Sequence, residues 1–140
     1  MTIRILVADD HESVRRSLRA LITQRQDFQV CAEAADGVDA VEKAKTMSPD
    51  VVLLDLAMGV LNGVDAAEEI RAKCPTALVL ATSLHDGEPL FPRLKSIGVK
   101  GFISKDHLVA DLLAAIDAVL KGRTWFPTKR DIGDRVVAAR

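Results

Sequence analysis

The stretch Val51-Val52-Leu53-Leu54-Asp55 decides the fold class, because four consecutive apolar residues end abruptly at a carboxylate. Pro49 stands just before it, and proline disfavours a helical conformation in the residue that precedes it, so we expect the upstream helix to end here. A short run that is apolar throughout is typical of a strand buried on both faces, as in a parallel sheet. We therefore predict a central parallel strand that ends at Asp55.

Strand-like segments alternate with helical patterns along the rest of the chain. Further strands are predicted at residues 3–8, 28–34, 77–81 and 99–104. Each is followed by apolar residues at helical spacing, as in Val14, Leu18 and Leu21. Pro89 and Pro92 predict that the fourth helix is short or displaced. Because parallel neighbours need crossover connections, the pattern predicts a doubly wound α/β sheet of five strands with five helices.

The composition limits the classes of protein to which the chain can belong. Its 140 residues carry 19 Lys and Arg against 20 Asp and Glu, a net charge of −1. That length allows about one domain, and the charge balance argues against a surface devoted to nucleic acid. The apolar runs are too short to cross a bilayer and the N-terminus lacks a secretory signal, so we expect a cytoplasmic protein without membrane contact. Cys31 and Cys74 are expected to be reduced core residues.

Polar residues follow the predicted strands, at the edge where open parallel sheets bind ligands. These residues are Asp9, Asp10, Asp55, Thr82, Ser83 and Lys105. Three crowded carboxylates repel one another, and a hard divalent cation such as magnesium between them makes the arrangement favourable. A lysine and a hydroxyl beside such a metal suit a phosphoryl group. This edge of the sheet therefore indicates a magnesium and phosphoryl site.

Each of these residues also has a purely structural interpretation. Asp10 could cap the following helix, and Lys105 could be an ordinary surface lysine. The hydroxyls of Thr82 and Ser83 could cap a strand end or a helix. An unpaired carboxylate after a central strand is costly, which makes Asp55 the hardest to explain structurally. Only the joint placement of all these residues on successive strand ends favours a functional site.

Several motifs, in the right order, resemble the receiver domain of two-component response regulators. They are Asp9-Asp10, Leu53-Leu54-Asp55-Leu56-Ala57-Met58, Gly63, a hydroxyl after the fourth strand, and Phe102-Ile103-Ser104-Lys105. The match runs from residue 3 to about residue 122 and implies a flavodoxin-like (CheY-like) fold. Residues 98–106 and 122–127 are most similar to the NarL/FixJ (LuxR-type) branch, whose members usually carry a C-terminal helix-turn-helix DNA-binding domain.

The resemblance implies a phosphorylation switch rather than an enzyme with external substrates. Asp55 would accept a phosphoryl group from a sensor histidine kinase or a phosphotransfer protein. Asp10, Asp55 and the backbone carbonyl of Ala57 would bind Mg²⁺, with Asp9 helping directly or through water. Lys105 would pair with the phosphoryl oxygens.

The resemblance also implies which residues transmit the change. A hydroxyl would move toward the phosphoryl group and let Phe102 turn inward. Ser83 has the family's usual separation from Lys105, and Thr82 is the alternative. The movement would alter the face of the fourth helix, fifth strand and fifth helix, and favour a phosphorylation-dependent homodimer or contact with an output domain.

Two positions near these motifs depart from the family's usual sequence, and two others are positions at which the family controls hydrolysis. Gly59 and Asp106 stand where proline often follows the methionine and the lysine, so the loop after Asp55 is expected to be looser. Ala57 and His85 occupy the positions at which the family tunes the access of hydrolytic water.

Other functions for this fold class fit the residues less well. A phosphatase of the haloacid-dehalogenase type also has an aspartate nucleophile, but it needs a second Asp two residues on, where Ala57 stands. A pseudo-receiver, an interaction module without phosphorylation, is expected to lack part of the acidic set or the lysine. A flavin binder needs a hydroxyl- and glycine-rich phosphate loop, but this chain has Asp9-Asp10-His11-Glu12 there, which would repel phosphate without a metal. The glycine fingerprint of nicotinamide binding is also absent from the sequence.

The resemblance divides the chain into a receiver domain at residues 1–122 and a linker or tail at residues 123–140. The tail is too short to bury a core, and its basic residues are offset by Asp131 and Asp134. We therefore expect DNA binding only through a C-terminal domain that this sequence does not contain. A regulator cut in its linker is favoured over a natural single-domain protein.

Overall fold

The computed structural model describes residues 1–59 and 61–138, with residues 134–138 described by their backbone alone. Its centre is one five-stranded sheet in which every neighbouring pair of strands is parallel. The strands are β1 (Ile3–Ala8), β2 (Phe28–Ala34), β3 (Val51–Asp55), β4 (Leu78–Ser83) and β5 (Gly101–Ser104). Their order is β2-β1-β3-β4-β5, which puts β3 in the middle as its apolar sequence predicted.

Six α-helices lie within the described residues, one more than the sequence predicted. They are α1 (Glu12–Ile22), α2 (Gly37–Met47), α3 (Gly63–Lys73), α4 (Phe91–Ser96), α5 (Leu108–Leu120) and α6 (Lys129–Ala138). The prediction of a short fourth helix is confirmed. A single 3-10 turn at Glu88–Leu90 precedes α4, and Pro89 and Pro92 occupy first-turn positions, where the missing N–H costs little.

The core lies on both faces of the sheet, as a doubly wound fold requires. Successive residues of a strand point to opposite faces, so Leu6 packs with α2, α3 and α4 whereas Val7 packs with α1 and α5. Every residue of β3 is buried, including Asp55. Within the described residues, no helix combines the length and the apolar character needed to cross a bilayer. Both cysteines have free thiols and are partly buried.

The segment after α5 packs against the domain. Trp125 lies beside Gly101 of β5, where the Phe102 N–H donates to the Trp125 carbonyl (2.7 Å) and the Trp125 N–H donates to the Lys100 carbonyl (2.9 Å). The Phe126 ring meets the Phe91 ring edge-on, with 5.1 Å between centroids. The tail thus covers the outer edge of β5, and edges of this kind are commonly shielded because their backbone groups are unpaired. The boundary at residue 122 stays a prediction.

The sequence contains a capping signal at the start of α6. The prediction of a linker or tail at residues 123–140 did not use this signal. The Thr128 N–H donates to Asp131 Oδ2 (2.9 Å), and the Asp131 N–H donates to Thr128 Oγ1 (3.1 Å). A reciprocal pair of this kind, from a threonine and an acidic residue three positions later, satisfies donors that a helix start otherwise leaves unpaired. The tail therefore contains a capped helix that the sequence analysis did not predict.

Candidate functional site

The predicted site residues come together because parallel strands end at the same edge of the sheet. Asp9 follows β1, Asp55 ends β3, Ser83 ends β4 and Lys105 follows β5. Thr82 lies directly beside Asp55 in the register of β3 and β4. The Leu56 N–H continues this pairing by donating to the Thr82 carbonyl (2.9 Å), which holds the chain in place just after Asp55.

The side chain of Lys105 bridges two buried carboxylates. Its Nζ lies 2.7 Å from Asp9 Oδ2 and 3.3 Å from Asp55 Oδ2. The Lys105 side chain is 7% exposed, and those of Asp9 and Asp55 are each 1% exposed. One ammonium cannot balance two carboxylates, and Asp10 next to Asp9 adds a third. The site therefore keeps an excess of negative charge that a divalent cation would neutralise.

Burial raises the pKa of the Asp55 carboxyl above its ordinary value, and the negative charge of Asp9 acts in the same direction. The Ala57 N–H, which donates to Asp55 Oδ1 (3.0 Å), and the ammonium of Lys105 act in the opposite direction without cancelling the rise. Burial alone would lower the pKa of Lys105, but hydrogen bonds and charge attraction from Asp9 and Asp55 outweigh it and raise that pKa. The lysine is therefore a permanent cation at neutral pH.

Asp10 belongs to an acidic cluster at the end of β1. Its Oδ1 lies 2.9 Å from His11 Nδ1, and Asp9 Oδ1 accepts a hydrogen bond from the His11 N–H (2.9 Å). One ligand atom from each of Asp9, Asp10 and His11 lies within 4.8 Å of the others. The N-cap position of α1 is His11, so the alternative role of Asp10 as the N-cap residue is wrong. Metal binding by Asp10 would compete with its contact to His11. The sequence did not predict a role for His11 at this site.

The two candidate hydroxyls belong to the last two residues of β4, and both residues are buried. Ser83 Oγ accepts a hydrogen bond from the His85 N–H (3.1 Å), so the position of Ser83 is tied to the loop that joins β4 to α4. Thr82 has the register contact with Asp55. Both remain candidates for the hydroxyl that would meet a phosphoryl group.

Phe102 lies in β5 beneath the β4–α4 loop rather than beside Asp55. Its side chain is buried and packs on Phe91, with 5.5 Å between ring centroids. Gly87 passes directly over this ring, and a Cβ at Gly87 would overlap it. The ring is therefore already inside the fold, and any phosphorylation-dependent change in its orientation stays a prediction.

Gly63 occupies a position where a side chain would not fit. It begins α3 and closes the loop after Asp55, where its N–H donates to the Leu56 carbonyl (3.2 Å). A Cβ at this position would overlap the backbone of Asp55 and Leu56. Gly63 thus allows the start of α3 to lie close to the backbone of Asp55 and Leu56.

Comparison with known proteins agrees with this geometry. A family model described as "Response regulator receiver domain" matches residues 5–117. The transcriptional regulatory protein LiaR of Bacillus subtilis is 34% identical over 91% of this chain and 60% of its own length. The oxygen regulatory protein NreC of Staphylococcus epidermidis is 38% identical over 90% of this chain and 58% of its own. The chain thus spans somewhat more than half the length of these curated relatives.

Two solved structures are similar to this fold. A LuxR-family two-component response regulator from Aurantimonas sp. superposes with a TM-score of 0.86 and 33% identity, over 100% of this chain and 99% of that one. The receiver domain of the putative response regulator NarL from Mycobacterium tuberculosis gives a TM-score of 0.81 and 31% identity, over 87% and 98%. The expected CheY-like fold and the resemblance to the LuxR/NarL branch are confirmed. This chain therefore belongs to the family of response regulator receiver domains.

Proposed function

We propose that this chain is the phosphoacceptor module of a transcriptional two-component regulator, and that Asp55 receives a phosphoryl group from a sensor histidine kinase or a phosphotransfer protein. The observation that carries the proposal is the fixed carboxylate of Asp55. Its Oδ1 accepts from the Ala57 N–H, and its Oδ2 faces the ammonium of Lys105. A buried, oriented carboxylate beside a permanent cation is suited to attack phosphorus in line.

The step balances within the residues of the site and the donor. A bond forms between an Asp55 oxygen and phosphorus, and the bond from phosphorus to the donor histidine nitrogen breaks, with its electron pair returning to the imidazole. The product is an acyl phosphate. After the transfer, Lys105 pairs with the phosphoryl oxygens. The hydroxyl of Ser83, or that of Thr82, donates a hydrogen bond to them. Water later releases inorganic phosphate and restores the carboxylate.

The oxygen donors of the site fit a magnesium ion. Asp9, Asp10, Asp55 and the carbonyl of Ala57 are hard ligands, and the excess of carboxylates over the single ammonium favours a divalent cation. When bound, Mg²⁺ neutralises charge on the phosphoryl group during transfer. The Ala57 N–H orients the carboxylate of Asp55, and the ammonium of Lys105 supplies the second cation.

The output of the switch is proposed from the relatives. LiaR and the DegU protein of Brevibacillus brevis are both named transcriptional regulatory proteins. We infer that phosphorylation changes homodimerisation or contact with a DNA-binding domain outside this sequence, in the cytoplasm and away from membranes. The chemistry of the chain is confined to its own phosphorylation and dephosphorylation.

Incubation with acetyl phosphate and Mg²⁺, followed by a phosphate-affinity gel, tests the proposal. The parent chain is expected to give a retarded band, and Asp55→Asn none. Asp65→Asn is the matched control, since it makes the same chemical change at an exposed position of α3 and should behave as the parent. A retarded band of equal intensity in Asp55→Asn would contradict the assignment.

A further inference from the structure

The side chain of Arg15, near the start of α1, contacts the backbone of the acidic site. Its Nη1 donates to the Asp9 carbonyl (2.6 Å), and the Arg15 side chain is only 15% exposed. Asp9 is fully buried and follows Ala8, the last residue of β1 that is paired in register with β2 and β3. A buried carbonyl beyond the end of a strand ladder is costly without a donor. Arg15 supplies that donor.

Two glutamates hold the guanidinium of Arg15 in this position. Arg15 Nε donates to Glu33 Oε1 on β2 (3.2 Å), and Arg15 Nη2 donates to Glu12 Oε2 (2.5 Å). Arg19, one turn further along α1, pairs with the same two glutamates. Because two guanidiniums meet two carboxylates, this network is electrically balanced. Arg15 therefore acts on Asp9 through the direction of its hydrogen bond rather than through net charge.

The bond from Arg15 completes the set of contacts that fix Asp9. The Asp9 N–H donates to the Ala34 carbonyl (3.0 Å), and Asp9 Oδ1 accepts from the His11 N–H (2.9 Å). The peptide bond is planar, so the orientation of the Asp9 carbonyl also fixes the nitrogen and α-carbon of Asp10. Like charges repel, and a loose segment here would let the two carboxylates move apart. The contact thus helps to keep ligand atoms of Asp9 and Asp10 within 4.8 Å of each other.

We propose that Arg15 is a positioning residue for the acidic site, and that its bond to the Asp9 carbonyl presents Asp9 and Asp10 to a divalent cation in a prepared arrangement. The identity of that cation as Mg²⁺ rests on the proposed function, whereas the contact itself does not. A prepared site binds more tightly, because its residues lose less conformational freedom when the ligand binds. Loss of the contact therefore weakens binding of the cation, and the transfer step at saturating Mg²⁺ stays as in the parent.

Isothermal titration calorimetry with magnesium chloride, on the unphosphorylated chain, tests the proposal. We expect Arg15→Met to raise the Kd for Mg²⁺ about tenfold, the lower end of the loss caused by removing a group that orients a metal ligand. Arg19→Met is the matched control. It makes the same chemical change on the same helix and also removes a partner of Glu33, but it leaves the contact with Asp9 in place, so its Kd should equal that of the parent. A parent-like Kd in Arg15→Met, or equal weakening in both variants, would overturn the proposal.

A second pair of variants, Arg15→Lys and Arg19→Lys, decides the question if circular dichroism shows that Arg15→Met does not fold. A single ammonium lacks the planar fork with which Arg15 donates to Asp9 and Glu33 together. Arg15→Lys should therefore raise the Kd about two- to fivefold, the loss typical of one hydrogen bond, and Arg19→Lys should not. In that case, equal Kd values in Arg15→Lys and the parent would overturn the proposal.

The rate of phosphorylation by acetyl phosphate separates positioning from a general loss of structure. In Arg15→Met, the Mg²⁺ concentration that gives the half-maximal rate should rise with the Kd, while the rate at saturating Mg²⁺ should match that of the parent. A lower rate at saturating Mg²⁺ with an unchanged half-maximal concentration would overturn the positioning role and leave the proposed function intact. A parent chain that binds no Mg²⁺ would contradict the proposed function and this inference together.

Discussion

The ammonium of Lys105 forms a buried ion pair with Asp9, with 2.7 Å between Nζ and Oδ2. Removing one partner of a buried pair leaves an uncompensated charge, which is strongly destabilising. We therefore expect Lys105→Met to lower the free energy of unfolding by about 3 kcal/mol without divalent cations. Mg²⁺ is expected to recover part of this loss, because the cation then lies among the carboxylates in place of the ammonium. Urea denaturation in EDTA and in Mg²⁺ measures both effects.

Lys121→Met is the control for this substitution, since it makes the same chemical change at the exposed end of α5. Its effect on the free energy of unfolding is expected to stay within about 0.5 kcal/mol. A Lys105→Met variant as stable in EDTA as the parent would contradict the idea that Lys105 compensates the buried carboxylates.

The raised pKa of Asp55 predicts a pH dependence of stability. Because burial and the charge of Asp9 raise this pKa, the folded chain keeps the Asp55 proton to a higher pH than the unfolded chain does. The contribution of Asp55 to stability therefore falls as pH rises from the unfolded value, about 3.9, through the folded one. Asp55→Asn removes this titration. Over that window the variant should become progressively more stable than the parent, as measured by urea denaturation in EDTA.

Asp27→Asn provides a control of opposite sign. The hydrogen bonds from Arg25 lower the pKa of Asp27, so its contribution to stability is present above the unfolded pKa and is lost as pH falls. The Asp27→Asn variant should therefore lose stability relative to the parent as pH rises. A parallel pH dependence for both variants would show that the environment of Asp55 does not differ from that of an exposed, paired aspartate.

Magnesium binding is expected to depend on Asp10. The rise in Tm with magnesium concentration measures the affinity of the folded chain for the ion. We expect Asp10→Asn to raise the concentration at half-maximal effect at least about tenfold, the loss typical of disturbing a metal's ligand environment. Asp65→Asn should leave it unchanged. The same midpoint in Asp10→Asn and the parent would limit the role of Asp10 to its contact with His11.

The packing of Gly87 over Phe102 predicts a steric cost. A Cβ at Gly87 would overlap the ring of Phe102, so Gly87→Ala should lower the free energy of unfolding by about 1–3 kcal/mol, the usual cost of overpacking. Phe102→Leu should lessen the effect of Gly87→Ala in a double-mutant cycle. Gly59→Ala is the matched control, since a Cβ there has no neighbour within 4 Å among the described residues. Equal effects of Gly87→Ala on both backgrounds would rule out the contact as its cause.

The sequence predicted the sheet and the site edge because both follow from local patterns. The apolar run before Asp55 indicates a strand buried on both faces, and β3 is buried throughout. Parallel strands end at one edge, so carboxylates after separate strands must meet there. Which carboxylates Lys105 would contact could not be predicted, since its pairing with Asp9 and Asp55 depends on side-chain directions at the ends of strands far apart in the chain.

The tail was harder to predict because its structure depends on contacts with distant residues. Residues 123–140 have too few apolar positions to form a core of their own, which favoured a linker. Trp125 and Phe126 instead pack on β5 and α4, and the capping pair of Thr128 and Asp131 starts a helix that such packing supports. The spacing of Thr128 and Asp131 could be recognised in the sequence as a capping signal. The surface on which the tail packs could not be predicted from the sequence.

The most direct test of the central claim is to locate the phosphoryl group itself. Borohydride reduces an acyl phosphate of aspartate to homoserine, with release of phosphate, and so leaves a permanent mark at the modified residue. After treatment with acetyl phosphate and Mg²⁺, peptide mass spectrometry is expected to find homoserine at position 55 in the parent chain. Homoserine at position 9 or 10 in place of position 55 would contradict the account.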